Sequence, residues 1–106
     1  MIIAVDFDGT LCESVWPGIG EPHEGFIKWL KRNKENGDKL ILWTMREDEL
    51  LDEALEWCAE HGIEFDAVND NTEEQKEMYG NNPRKIYADI YIDDHNLGGI
   101  DWEVFE

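Results

Sequence analysis

Basic residues are scarce in this chain. Nine lysines and arginines face 26 aspartates and glutamates, a formal charge of −17 over 106 residues. A field of that sign repels DNA, RNA and anionic membrane unless a local cation reverses it, so nucleic acid is not an expected partner. Cysteine is nearly absent: Cys12 and Cys58 are too few for a disulfide framework and fit no metal-ligand spacing. Cys58 falls on the apolar face of an expected helix and reads as a small core residue, Cys12 as a bystander in its loop. No apolar run approaches the ~18 residues that a membrane span needs, and no charged-then-apolar leader is visible. The expected setting is a reducing cytoplasm, away from membrane. Repeats, low-complexity tracts and linkers are also missing, and the length suits one core without a separate lid, so 1–106 reads as a single domain.

What is present is a regular alternation of apolar strands and amphipathic helices. Met1–Val5 (MIIAV) and Lys39–Trp43 (KLILW) have the short, apolar, β-branched character of buried strands. Phe65–Val68 forms a short third strand, and a fourth ends at Ile92. Between them, Glu24–Asn36 carries a stripe of Phe26, Ile27 and Leu30 with Gly37 as its stop. Asp48–His61 places Leu51, Ala54, Leu55 and Cys58 at helical spacing. Thr72 and Gln75 form a capping-box pattern for a short helix reaching about Tyr79. Residues 12–23, broken by Pro17, Gly18, Gly20 and Pro22, read as irregular, and the tail from Leu97 as a short edge element. The order β-α-β-α-β-α-β calls for a three-layer α/β/α, Rossmann-like domain with a mainly parallel sheet, since parallel neighbours need crossover connections.

In such sheets ligands sit beyond the carboxyl ends of the strands. Strand one ends at Asp6-Phe7-Asp8, strand two at Thr44, strand three near Asn69-Asp70 and strand four at Asp93-Asp94. Four carboxylates meeting on one edge repel one another, and a hard cation with oxygen ligands, Mg²⁺, relieves that repulsion. A carboxylate beside Mg²⁺ and a phosphate is a nucleophile able to form an aspartyl-phosphate; a second aspartate can move the proton. Thr44 offers a hydroxyl to a phosphoryl oxygen, and a lysine would offset the charge that develops in transfer.

These residues resemble the haloacid dehalogenase superfamily of phosphohydrolases. DFDGT (Asp6–Thr10) is similar to its first signature, DxDx[TV]; Thr44 in ILWT to its second; and IDD (Ile92–Asp94) to its fourth. The resemblance spans Val5 to Asp94. It implies Asp6 as nucleophile, Asp8 as general acid/base, Thr44 as phosphate contact, and Asp94 with Asp93 on Mg²⁺, the Phe7 carbonyl adding a ligand. The lysine signature falls on Lys85, which reaches the catalytic edge only if the last strand starts near Asp89; Lys76 and Arg84 are the alternatives. The loop after strand one has about a dozen residues, so the chain resembles the capless class, with Trp16 and Pro17 as the only local flap. An open site of this kind suits a phosphorylated macromolecule, a loosely selected phosphorylated small molecule, or a homo-oligomer whose second copy covers it. The competing expectation is a receiver-like module accepting phosphate on Asp70, or an idle relative that binds phosphorylated ligands.

Overall fold

The computed structural model describes every residue from Met1 to Glu106. In chain order the elements are β1 (Ile2–Val5), β2 (Cys12–Val15), β3 (Gly18–Pro22), α1 (Glu24–Glu35), β4 (Lys39–Leu42), α2 (Asp48–Glu60), β5 (Ala67–Val68), α3 (Glu73–Tyr79) and β6 (Ile90–Ile92), then a 3₁₀ turn at Trp102–Phe105. Four strands form an all-parallel sheet in the order β5-β4-β1-β6. The fold is α/β, with three helices flanking this sheet and no cap. The chain steps outward from β1 through β4 to β5, then α3 carries it back across to β6. The strand order therefore reverses between β1 and β6, where open α/β sheets hold their ligands.

Period-two alternation sorts the strand residues onto two unequal faces. Ile3, Val5, Leu40 and Leu42 point to Phe26, Ile27 and Leu30 of α1 and to Ala54 and Cys58 of α2, forming the main core. On the other face Ala4 and Ile41 meet Ile86 and Ala88, which come from the irregular segment before β6. The α3 helix buries no residue of its own. Three layers are present, and the second outer layer is thin.

Several elements depart from the expectation. Residues 12–23 hold a β2–β3 antiparallel hairpin turning at the cis Trp16–Pro17 bond, so Pro and Gly mark a turn rather than the absence of strand. The capping box does not form: Thr72 occupies the N-cap position, but its Oγ1 and the Gln75 Oε1 are both buried without a partner. The tail is a 3₁₀ turn, not a sheet edge, because its aromatics seek the core: Phe105 meets Phe26 at 4.7 Å and Trp29 at 5.0 Å between ring centroids. That packing should make the tail part of the cooperative unit. Phe105→Ala is expected to cost about 3 kcal/mol, read from the urea midpoint; an unchanged midpoint would show that the tail stands apart from the core.

Candidate functional site

Register brings the strand ends level. Val5 pairs with both Leu42 and Ile92, so the residues that follow, Asp6, Trp43 and Asp93, emerge side by side. The Asp6 N–H donates to the Ile92 carbonyl at 3.0 Å and fixes the loop after β1 to β6. Carboxylate oxygens of Asp6, Asp93 and Asp94 consequently lie within 4.8 Å of one another. Gly9 permits this approach. Its backbone sits at φ +85°, and a Cβ there would collide with the Asp94 carboxylate. Thr10, fully buried, accepts the Asp94 N–H on Oγ1 at 3.1 Å, with that same hydroxyl 3.5 Å from Asp6 Oδ2.

The cluster is electrostatically unrelieved. Burial first, then the negative charge of Asp93 and the carboxylate of Asp94, push the Asp6 carboxyl up from 3.8 to about 7. Asp94 Oδ1 is buried with no hydrogen-bond partner. No lysine or arginine pairs with any of the three; the nearest base, His95, is exposed and 3.8 Å from Asp94 Oδ2. Three hard oxygen donors, one of them buried and unpartnered, fit a divalent cation such as Mg²⁺.

Asp8 goes elsewhere. Expected beside the metal, it turns instead to Arg46, whose Nε and Nη2 donate to its two oxygens at 2.8 Å each. Arg46 was missed in the sequence reading, yet it is among the most buried side chains of the protein. A guanidinium taken out of water must find every partner it can. Its Nη2 also donates to the Gly18 carbonyl at 2.8 Å, and its plane lies 5.0 Å from the ring centroids of both Phe7 and Trp16. Arg46 thereby ties the β1 loop, the hairpin and the start of α2 together, and Trp16 acts as its cover. Its backbone N–H donates to Thr44 Oγ1 at 3.1 Å, which leaves the Thr44 hydroxyl proton free to donate. Asn69, in a left-handed conformation at φ 52°, accepts the Thr44 N–H on its side chain at 2.8 Å.

The Phe7 carbonyl, expected as a further metal ligand, is turned into its own loop. It accepts the Leu11 N–H at 2.9 Å and the Thr10 N–H at 3.2 Å, so the turn that shapes the loop occupies it. Lys85 stands in the irregular segment because β6 begins only at Ile90, and it lines a cavity that reaches Asp93. Lys76 is engaged far from the cluster, donating to Asp70 at 2.6 Å and to Glu73 at 3.3 Å, and Arg84 is exposed. His23 is less peripheral than its sequence position suggests: Nδ1 lies 2.8 Å from the Thr10 carbonyl and Nε2 3.1 Å from Glu13.

No family model and no curated protein matches the sequence. A solved structure described as the conserved protein coded by a locus from Bacteroides thetaiotaomicron is similar over 98% of this chain and 84% of its own, with 48% identity and a TM-score of 0.85. The chain belongs to the same family as that protein.

Two measurements test this geometry. Arg46→Ala strands Asp8 beside a buried void and should cost about 3–5 kcal/mol in denaturant unfolding. Arg46→Ala with Asp8→Ala should cost clearly less than the two singles summed; strict additivity would show that the pair is not coupled. The second concerns pH in the presence of chelator. Folding holds the Asp6 proton more tightly than the unfolded chain does, so this group's stabilisation is complete below 3.8 and lost as pH rises through about 7. Asp6→Asn should flatten the decline in stability between those values, and identical slopes would contradict the raised carboxyl.

Proposed function

We propose that the protein is a Mg²⁺-dependent phosphatase of the haloacid dehalogenase type that hydrolyses phosphate monoesters through an aspartyl-phosphate on Asp6. The observation that carries this reading is the gathering of Asp6, Asp93 and Asp94 at the point where the strand order reverses. Asp6, Asp93 and Asp94 would hold the cation, which when bound neutralises the carboxylates and lets an anionic phosphate approach.

In the first step an Asp6 carboxylate oxygen attacks phosphorus, the P–O bond to the ester oxygen breaks, and that oxygen leaves with a proton. In the second, water attacks the phosphorus, the bond to Asp6 breaks, and inorganic phosphate departs. Asp8 carries the proton in both directions. Each of its oxygens accepts one hydrogen bond from Arg46 and keeps a lone pair, so the pairing orients Asp8 without exhausting it. Thr44 donates its hydroxyl to a phosphoryl oxygen, and Lys85 offsets the charge that builds on the phosphoryl group.

A receiver-like role finds less support. Its acceptor would be Asp70, whose carboxylate takes hydrogen bonds from Lys76, from Asn82 at 3.0 Å and from the Asn71 N–H at 2.9 Å, outside the acidic cluster.

Hydrolysis of a generic aryl phosphate should require Mg²⁺, stop in chelator, and fall at least about a hundredfold in Asp6→Asn, whose shape is kept and whose attacking charge is gone. Retention of a tenth of the activity would exclude Asp6 as nucleophile. Mg²⁺ at about ten times its Kd should also raise Tm, on the order of 5–10 °C for a domain of this size. The rise should vanish in Asp94→Asn.

A further inference from the structure

One histidine reaches the acidic cluster without touching it. Thr10 serves the cluster from one end: its hydroxyl accepts the Asp94 N–H at 3.1 Å and lies 3.5 Å from Asp6 Oδ2. At its other end the backbone carbonyl receives no backbone N–H and has a single partner, Nδ1 of His23 at 2.8 Å. A carbonyl can only accept, so Nδ1 carries the proton of that bond. Thr10 is wholly out of water, and a buried carbonyl without a donor is costly. The His23 ring is what satisfies it.

His23 is itself firmly seated. Its backbone N–H donates to the Leu11 carbonyl at 2.9 Å, and its carbonyl accepts the Ile27 N–H at 3.0 Å in the first turn of α1. The ring meets Trp102 at 4.5 Å between centroids in an edge-to-face arrangement, and Nε2 lies 3.1 Å from Glu13 Oε1 on β2. Although His23 occupies the N-cap position of α1, its side chain makes no capping hydrogen bond to the helix. The ring is turned to Thr10 instead.

Resting on the metal-binding part of the phosphatase reading, we infer that His23 is a positioning residue for the Mg²⁺ site, acting through Thr10. The ring pins the Thr10 peptide, the pinned peptide sets the Thr10 hydroxyl, and the hydroxyl holds the Asp94 backbone beside Asp6. Mg²⁺ demands near-octahedral geometry, so carboxylates free to drift bind it less tightly. Groups that orient metal ligands from behind contribute roughly ten- to a hundredfold in affinity.

Calorimetric titration with Mg²⁺ alone tests this role without relying on turnover, the fold of each variant being checked by thermal melting. An asparagine side chain places its N–H₂ where histidine has Nδ1, whereas glutamine places it nearer Nε2. His23→Ala should weaken Mg²⁺ binding at least about tenfold, and His23→Gln should resemble it. His23→Asn, which keeps a donor for the Thr10 carbonyl, should stay within about threefold of the wild type. Glu13→Gln, which disturbs only the far edge of the ring, should leave the affinity unchanged. Should His23→Ala fail to fold, the difference between His23→Asn and His23→Gln still decides. Equal affinity in the wild type and both of those variants, or His23→Asn as weak as His23→Gln, would overturn the role of His23 and leave the metal site standing. A wild type that binds no Mg²⁺ at millimolar concentration would overturn the metal site itself, and the role with it.

Discussion

The buried guanidinium of Arg46 is the group around which the carboxyl-end edge of the sheet is arranged. A charge removed from water is tolerated only when its donors are filled, and here they are filled from three separate segments: Asp8 from the β1 loop, Gly18 from the hairpin, and Leu50 from α2, whose carbonyl accepts from Nη1 at 3.4 Å. Of these segments the hairpin has the least core of its own to hold it. The β2–β3 strands are mostly exposed, and the loop carrying Asp6 and Asp8 is short. Arg46 substitutes one charged hub for the hydrophobic contacts that a larger domain would use.

The second constraint is repulsive. Three carboxylates converge because strand register makes β1 and β6 end level, and nothing on the protein side neutralises them. The two aspartates of the DFD sequence therefore have opposite environments although only one residue separates them. Asp8 has a counter-charge in Arg46; Asp6 has no cation, and burial with like charges outweighs its hydrogen bonds. That division leaves Asp8 held by its ion pair and Asp6 with a raised carboxyl.

Much of this was legible in the sequence. Apolar runs and helical spacing marked the parallel sheet with its crossover helices, and the residues after each run located the edge where Asp6, Thr44 and Asp93-Asp94 gather. What escaped had identifiable causes. The hairpin was hidden because Pro17 and the neighbouring glycines look like breakers, and only pairing partners distinguish a turn from a coil. Arg46 left one faint signal, a lone arginine just past a strand end in a very acidic chain, and nothing in the sequence states that a cation will be buried. The hydrogen bonds that the Phe7 carbonyl accepts from Thr10 and Leu11 could not be foreseen, because backbone carbonyls have no sequence signature. The Thr72–Gln75 box had the right spacing, but tertiary burial turned both side chains away from the helix end.

The unequal covering of the sheet divides the molecule by local stability. Ile3, Val5, Leu40 and Leu42 lie under two helices, and opening that side exposes the main core. The opposite side is closed by Ile86 and Ala88 on a segment with no regular structure, held by the Tyr91 hydroxyl and the Asn71 side chain. Amide protons around residues 84–89 should thus exchange with solvent through small openings, at a free energy far below that of global unfolding. Asp6 follows a strand of the well-covered half, while Lys85 lies in the thinly covered segment. The segment that carries Lys85 should therefore shift more readily than the strand ends that carry Asp6 and Asp93.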